Sequence, residues 1–210
     1  MKHQLKAEYA AKKKSIRRRL SEFKKIWALG DEEIFAELCF CVCTPQSKAV
    51  VCDRAIRTLV GTRVLYTGNE DEIREHLVGV RFPNNKARFI VYDRDLLSKG
   101  GKIEIRSRID GKDVLSSRKW LADNIKGVGY KEASHFLRNI GFGGDLAILD
   151  VHILRNMKRL GLVKEIPSNI TVQRYAELEA RLRCFSRDIG IAMDELDILF
   201  WSRETGEIFK

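Results

Sequence analysis

The sequence predicts an all-α protein with two helical lobes, and three observations lead to this fold class. Nearly every long segment repeats apolar residues at helical spacing, the 210 residues include only three prolines, and only one short stretch alternates like a strand. A chain of this length can bury an ordinary core or fold as two small domains. Because the composition shows no linker, the division into lobes has to follow from architecture.

The predicted helices follow one another with breaks at Gly, Asn, Pro or Ser. The first, residues 2–26, is long and basic with one apolar face. The second starts with an acidic turn at Asp31 and is almost wholly apolar afterwards, which indicates a buried central helix. Only KIEIRSRI, residues 102–109, alternates like a strand. Further helices are expected in SKAVVCDRAIRTLV, DEIREHLVGV, NKARFIVYDRDLLSKG, VLSSRKWLADNI, VHILRNMKRLGLV, residues 172–189 and ELDILFWSRE.

The charge of the chain indicates a polyanionic partner. Lys and Arg outnumber Asp and Glu by 39 to 29, a formal net charge of +10, which fits a nucleic-acid-binding protein or a domain with a solvated basic face. The five cysteines form no C-x-x-C pair and predict reduced packing residues, so we expect neither a metal nor a cofactor. With no signal-peptide core and no membrane-spanning stretch, a soluble intracellular protein is expected.

The segment LADNIKGVGY, residues 121–130, predicts a helix, a tight hairpin and the start of a second helix. Gly127 and Gly129 permit positive φ angles and, with Val128 between them, bring bare backbone amides to the start of that helix. Such amides can hold a phosphate, and Lys126 adds positive charge without reading a base. The prediction is a grip on nucleic-acid backbone irrespective of sequence. The alternative is an ordinary helix pair broken by glycine.

Lys131 falls in the first turn of the second helix, where the helix dipole disfavours a cation. The same position favours the unprotonated amine that a lysine nucleophile requires. Further along the chain, Asp150 ends the apolar run LAIL and directly precedes another helix, so one helix and its return can place the two side chains across one cleft. Lys131 could instead face solvent, and Asp150 is also a good N-cap. His135 and His152 are expected to pack or to lie at the surface.

The motifs KGVGYK and LAILDVHI resemble the helix-hairpin-helix superfamily of DNA glycosylases, whose pattern is a hairpin with G-x-G, a lysine, a helix and an apolar stretch ending in aspartate. The resemblance implies that Lys131 is the Schiff-base nucleophile of a bifunctional enzyme and that Asp150 stabilises positive charge on the sugar. The phrases GVGYKEASHFLRN, ILDVHILR and ELDILFWSRETGEIFK are most similar to the small 8-oxoguanine DNA glycosylase/AP lyases of archaea and some thermophilic bacteria, and AELCFCVCTPQSKA is compatible with them.

The same resemblance implies which residues bind the damaged base. Gln46, in a Pro-Gln pair where relatives often have Ala-Asn, would enter the duplex where the flipped nucleotide leaves. Phe82 and Trp201 would stack on the two faces of the purine, although each could instead belong to the core. The chain end at Lys210 would contact the oxidised base. Oxidation converts guanine N7 from an acceptor to a donor, which an acceptor such as a terminal carboxylate can distinguish.

Together these inferences predict a helical barrel lobe over residues 29–141, ending in a helix-hairpin-helix at about 113–140. A second lobe would combine residues 1–28 with 142–210, and DNA would lie in the cleft between the two. The expected activity is excision of 8-oxoguanine from double-stranded DNA and nicking by β-elimination, catalysed by a monomer. The alternatives are a related glycosylase for oxidised pyrimidines or mismatches, and a non-catalytic DNA-binding protein.

Overall fold

The computed structural model describes residues 2–210 and confirms the all-α fold class. In this range the only sheet is one antiparallel pair of two-residue strands, β1 (Ser98–Lys99) and β2 (Lys102–Ile103). None of the helices over residues 2–210 has both the length and the hydropathy that a bilayer span requires. The α-helices are α1 (Lys2–Leu29), α2 (Asp31–Cys43), α3 (Ala49–Gly61), α4 (Val64–Thr67), α5 (Glu70–His76), α6 (Pro83–Leu96), α7 (Val114–Asn124), α8 (Tyr130–Asn139), α9 (Val151–Arg159), α10 (Val172–Ile189) and α11 (Met193–Thr205).

The chain divides into two compact units. One contains the residues up to Lys25 together with Leu137–Lys210, and the other contains Ile26–Phe136. The boundaries fall inside α1 and α8, so each of these helices begins in one unit and ends in the other. The boundaries predicted from the sequence, 29 and 141, lie at helix ends instead. Sequence patterns mark where a helix stops, whereas a unit boundary depends on where its packing partners change.

The central helix of the Ile26–Phe136 unit is α2. Its first turn is acidic, and all but one of residues 34–43 are buried, as the apolar run predicts. Three of its buried residues are cysteines with free thiols, and Cys52 on α3 is a fourth. Burial raises the pKa of Cys43 to about 12. These cysteines therefore pack as small apolar residues, whereas Cys184 is exposed.

Two predictions of local structure hold only for the first part of their segments. KIEIRSRI forms no extended strand, because β2 is followed by a 3₁₀ helix, Ile105–Arg108. Ile105 is fully buried there, and Arg106 donates its backbone amide and its guanidinium to Asp31 at 2.8 Å each. The helix expected in DEIREHLVGV ends at His76, and the residues after it form a turn in which Gly79 has a φ of +79°. Tertiary contacts override the local pattern in the first case, and turn chemistry does so in the second.

The other unit is organised by polar contacts between α1 and α11. The Tyr9 hydroxyl donates to Glu195 Oε2 at 2.6 Å, and Arg17 Nε donates to Glu195 Oε1 at 2.7 Å. Burial, together with the neighbouring carboxylate, raises the pKa of Tyr9 to about 12. About two turns further along α11, Lys12 Nζ donates to Ser202 Oγ at 3.0 Å. These bonds fix the register of α1 on α11, the helix that carries Trp201.

Candidate active site

The hairpin between α7 and α8 forms as predicted. Gly127 has a φ of +76°, and a Cβ at this position would lie 2.7 Å from Phe89 Cδ2, so only glycine fits without a shift of the ring. Gly129 also permits a positive φ but does not adopt one. An added Cβ there would meet the Glu132 carboxylate at 3.4 Å. The Val128 side chain is buried, which leaves the backbone of this residue to meet a ligand.

The hairpin turn offers backbone amides to an anion. The amide of Gly127 forms no hydrogen bond with any part of the chain that the structure describes. The Gly129 amide donates to Glu132 Oε2 at 3.2 Å, and a carboxylate oxygen is an acceptor of the same kind as a phosphate oxygen. The exposed Lys126 places Nζ 5.1 Å from the Tyr92 ring centroid. This arrangement has the donors and the charge that phosphate binding requires.

A buried carboxylate on α6 fixes the start of the hairpin turn. Asp93 Oδ1 accepts the Lys126 amide at 2.8 Å, and the residue is 1% exposed. Its Oδ2 is buried and has no hydrogen-bond partner within residues 2–210. Burial raises the pKa of Asp93 to about 7, against the lowering influence of the Lys126 amide and charge. The hairpin conformation is therefore linked to an acid that titrates near neutral pH.

Lys131 is the second residue of α8 and so lies in its first turn, as predicted. Its side chain is 27% exposed, and Nζ lies 3.2 Å from Glu132 Oε1. Because Glu132 Oε2 accepts the Gly129 amide, one carboxylate bridges the hairpin turn and the lysine. The amine is thus held at the helix start while part of its surface remains open to solvent.

Asp150 is the N-cap of α9. Its Oδ1 accepts the amides of His152 and Ile153, both at 2.8 Å. Its Oδ2 forms no hydrogen bond with the residues that the structure describes. One oxygen therefore serves the helix, and the other is available for chemistry. The cap and the catalytic role inferred from the sequence need different atoms of the same carboxylate.

The apolar run before Asp150 is held by buried polar groups on α10. Ala147 donates its amide to Glu179 Oε1 at 2.8 Å and accepts the Tyr175 hydroxyl at 2.6 Å. All four residues from Leu146 to Leu149 are buried. This support fixes the backbone immediately before Asp150, and with it the position of the carboxylate.

Gln46 and Phe82 are both exposed, and both have a backbone conformation in the left-handed region. Gln46 lies in the turn between α2 and α3 with a φ of 58°, and Phe82 is the N-cap of α6 with a φ of 57°. A non-glycine residue in this region costs on the order of 1–3 kcal/mol and persists only where its surroundings enforce it. The two turns are joined by Ser47 Oγ, which accepts the Arg81 amide at 3.0 Å. The structure thus brings these two predicted residues onto linked turns.

Trp201 lies partly exposed on α11, next to the C-terminal residues. The Phe209 ring centroid is 6.4 Å from that of Trp201, with 32° between the ring planes. The Arg19 guanidinium lies 5.7 Å from the Phe209 centroid. Phe209 therefore anchors the chain end to α1 and α11, and Lys210 follows directly as a partly buried residue.

The two histidines have the roles expected of packing residues. His135 is buried on α8, and its ring meets Phe40 edge-on at 5.7 Å between centroids, with 77° between the planes. His152 is partly buried at the start of α9, where its amide serves the Asp150 cap.

Sequence reasoning missed three charged residues at this site: Lys86, Asp93 and Glu132. Lys86 and Asp93 are both buried on α6, in a segment with many charged and amide side chains that reads as a solvated helix. Buried Lys and Asp are rare, and no local pattern distinguishes them from surface residues. Glu132 had a detectable signal, because an acidic residue in the first turn after the G-x-G is placed to bond a hairpin amide.

The fold and the site define a class of protein: an all-α, helix-hairpin-helix protein with the lysine and aspartate pattern of the bifunctional DNA glycosylases. Residues 16–191 match the Ogg-HhH family model, which describes 8-oxoguanine DNA glycosylase. The chain therefore belongs to the Ogg-HhH family.

Individual relatives agree with this family. The chain is 44% identical over 197 residues to the 8-oxoguanine DNA glycosylase/AP lyase of Fusobacterium nucleatum, covering 93% of this chain and 91% of the relative. It is similar to the crystal structure of the Thermotoga maritima 8-oxoguanine DNA glycosylase, with a TM-score of 0.88, 37% identity and coverage of 100% and 98% of the two chains. The TM-score is also 0.88 for a Methanocaldococcus jannaschii 8-oxoguanine glycosylase/lyase in complex with 15mer DNA containing 8-oxoguanine. The identity to this chain is 33%, with coverage of 99% and 100% of the two chains. These matches confirm the family and the helix-hairpin-helix fold predicted from KGVGYK and LAILDVHI.

Proposed function

We propose that this protein excises 8-oxoguanine from double-stranded DNA through a Schiff base on Lys131 and then nicks the abasic strand by β-elimination. Family membership carries the reaction class, since the relatives are named 8-oxoguanine DNA glycosylase/AP lyase. The observation that carries the assignment to one residue is the partly exposed amine of Lys131 in the first turn of α8, directly after the hairpin. The reaction as proposed uses only side chains of this chain.

In the first step, the unprotonated amine of Lys131 attacks C1′ of the damaged nucleoside. The C1′–N9 bond breaks, and the base leaves with the bonding electrons and takes up a proton. Opening of the sugar ring converts the new carbon–nitrogen bond into a protonated imine. This imine acidifies the C2′ proton, whose removal expels the 3′ phosphate and cuts the strand. Hydrolysis of the imine then frees the lysine.

Asp150 is proposed to stabilise the positive charge that develops on the sugar as the base departs. Two backbone amides hold Oδ1 at 2.8 Å, so the carboxylate needs no reorganisation during the reaction. Its Oδ2 is the atom proposed to face the charge. A fixed charge aimed at the transition state is the usual source of a large catalytic effect.

The hairpin is proposed to bind a phosphate of the DNA backbone without reading sequence. The amides of Gly127 and Val128 supply donors, Lys126 supplies charge, and Gly129 allows close backbone approach. A net charge of +10 adds attraction for the polyanion over a longer range. Binding through these groups should therefore be equally strong on damaged and undamaged DNA.

Four further residues are proposed to act on the flipped nucleotide. Phe82 offers a half-exposed ring, and Trp201 a partly exposed indole, on which a purine can stack for about 1–3 kcal/mol each. Gln46 is an exposed amide at the tip of a strained turn, suited to fill the space that the base leaves. Lys210 directly follows the Phe209 anchor and is proposed to contact the oxidised base.

The proposed partner is double-stranded DNA that contains oxidised guanine. The solved complex of the M. jannaschii relative contains DNA with this lesion. We propose that the protein works as a monomer and inside the cell, where its substrate is.

A panel of duplexes with one lesion each tests this function. The panel holds 8-oxoguanine opposite each of the four bases, an oxidised pyrimidine, a mismatched thymine and undamaged DNA. We expect nicking and borohydride crosslinking on the 8-oxoguanine duplexes. Crosslinking only to another lesion would favour a related glycosylase, and binding without any crosslink would favour a non-catalytic DNA-binding protein.

A further inference from the structure

Lys86 is a buried lysine that the proposed reaction does not use. It lies at the end of the first turn of α6 and is 5% exposed. Its ammonium donates to the carbonyl of Cys43 at 2.6 Å, to the carbonyl of Pro45 at 2.9 Å and to Ser47 Oγ at 3.1 Å. All three protons of the ammonium are therefore used within the turn that follows α2. Burying a lysine is costly unless its charge is fully hydrogen-bonded, as it is here.

The three acceptors surround Gln46. Cys43 ends α2, where the helix leaves carbonyls unsatisfied and where a cation is favoured by the dipole. Pro45 and Ser47 flank Gln46 on either side. The ammonium thus holds the backbone before Gln46 and the side chain of the residue after it, around a φ of 58° that non-glycine residues seldom hold without support.

The same lysine is also tied to Phe82. The Lys86 amide donates to the Phe82 carbonyl at 3.1 Å, which is the first hydrogen bond of α6 after a cap with a φ of 57°. Ser47 Oγ, which accepts from the ammonium, accepts from the Arg81 amide as well. Two strained residues are therefore connected through one side chain and one hydroxyl, both anchored on Lys86.

We propose that Lys86 is a positioning residue for base extrusion: it sets the turn that carries Gln46 relative to the helix start that carries Phe82. The inference rests on the roles proposed above for those two residues. Lys86 itself is buried and touches no substrate, so it acts only through them. Both side chains are then in place before DNA arrives, and binding need not order them.

A matched pair of substitutions tests this role. Lys86→Met keeps the apolar stem and removes the three hydrogen bonds. Arg94→Met is the control, because Arg94 also lies on α6 and also holds a loop, with Nη1 donating to the carbonyls of Leu65 at 3.3 Å and Gly68 at 2.8 Å. Each variant is assayed on an 8-oxoguanine duplex and on a preformed abasic site, which has no base to extrude.

Lys86→Met should slow 8-oxoguanine removal by about 10- to 100-fold, the loss that a displacement of about 1 Å can cause, while nicking of the abasic site changes less than about threefold. Arg94→Met should change the two rates by the same factor. Ser47→Ala, a smaller change that breaks the link to Arg81, should reproduce the selective loss in weaker form. It serves as the test if Lys86→Met does not fold.

Equal losses on the two substrates in both Lys86→Met and Ser47→Ala, with a lowered melting temperature, would overturn the inference and leave Lys86 a packing residue. Unchanged rates on both substrates would overturn it as well. A wild-type protein that does not cut 8-oxoguanine DNA would instead refute the proposed function, so the two failures are distinguishable.

Discussion

The starts of α8 and α9 carry the two proposed catalytic residues. They treat the backbone amides that a helix start leaves without partners in opposite ways. At α9, Asp150 caps the helix, and its carboxylate bonds two of the amides that a helix leaves unsatisfied. At α8, the hairpin leaves the amide of Gly127 without a partner among the residues that the structure describes, and a cation, Lys131, lies where the dipole favours an anion. The cap stabilises the start of α9, whereas the start of α8 has no such cap and carries an unfavourably placed charge.

The difference between these helix starts shows where binding and chemistry are located. A capped helix start has satisfied its own donors and has little left for a ligand. The open start of α8 retains donors for phosphate, and only the Glu132 carboxylate occupies one of them. We infer that the open start binds DNA and supplies the nucleophile, and that the capped start supplies a fixed charge. The predictions below test this division of roles.

The largest effect is expected for Lys131→Gln. Glutamine cannot form an imine, so strand nicking and borohydride crosslinking should fall below detection. Binding to damaged DNA should weaken only slightly, because one charge among many phosphate contacts is a small loss. Nicking gels and fluorescence anisotropy measure the two quantities. Lys126→Gln is the control at the hairpin: it should weaken binding and keep crosslinking.

The next largest effect is expected for Asp150→Asn. Asparagine is as good an N-cap as aspartate, so the melting temperature should change little. Loss of the charge should slow base removal on the order of 10²–10³-fold and affect nicking of a preformed abasic site less. Single-turnover kinetics measure the rates on both substrates. Asp145→Asn, at an exposed position, is the control. A rate loss that parallels a loss of thermal stability would mean that Asp150 only caps the helix.

A smaller effect is expected from two alanine substitutions in the hairpin. Gly127→Ala meets a positive φ and a 2.7 Å approach to Phe89, whereas Gly129→Ala has neither obstacle. Gly127→Ala should weaken binding to damaged and undamaged duplex alike, by roughly tenfold for a strain on the order of 1–3 kcal/mol. Gly129→Ala should stay within about twofold of wild type. Anisotropy titrations with both duplexes measure the affinities. If Gly127→Ala bound DNA as tightly as Gly129→Ala, the predicted role of the hairpin would be contradicted.

The last effect concerns stability rather than activity. Burial raises the pKa of Asp93 from its ordinary value of 3.8 to about 7 in the folded protein, so the folded state binds more protons between these values. Its contribution to stability is present at low pH and is lost as the pH rises through 7. Asp93→Asn keeps an acceptor for the Lys126 amide but does not ionise. It should gain up to about 3 kcal/mol over wild type between pH 5 and pH 8.

Melting temperatures of wild type and Asp93→Asn across this pH range measure the gain. The exposed Asp95→Asn on the same helix is the control and should follow wild type at every pH. If Asp93→Asn and wild type lose stability in parallel as the pH rises, Asp93 is not the acid that links the hairpin to pH.

Much of this site could be predicted from the sequence because its signals are local. The hairpin, the position of Lys131 and the Asp150 cap each depend on a few neighbouring residues and on helix-end chemistry. Lys86 and Asp93 could not be predicted, since their burial depends on residues far along the chain, and Lys86 in particular bonds acceptors about forty residues earlier. The φ of Gly129 could not be predicted either, because glycine permits a positive φ but does not require it, and here the φ is not positive.

The most direct test of the account is to find the atom that becomes attached to the sugar. The wild-type protein is crosslinked to an 8-oxoguanine duplex with borohydride, digested with nuclease and protease, and mapped by mass spectrometry. The account predicts one modified peptide, with the reduced sugar remnant on Lys131. A remnant on Lys126, on Lys86 or on the N-terminal amine would contradict it and would move the nucleophile away from the start of α8.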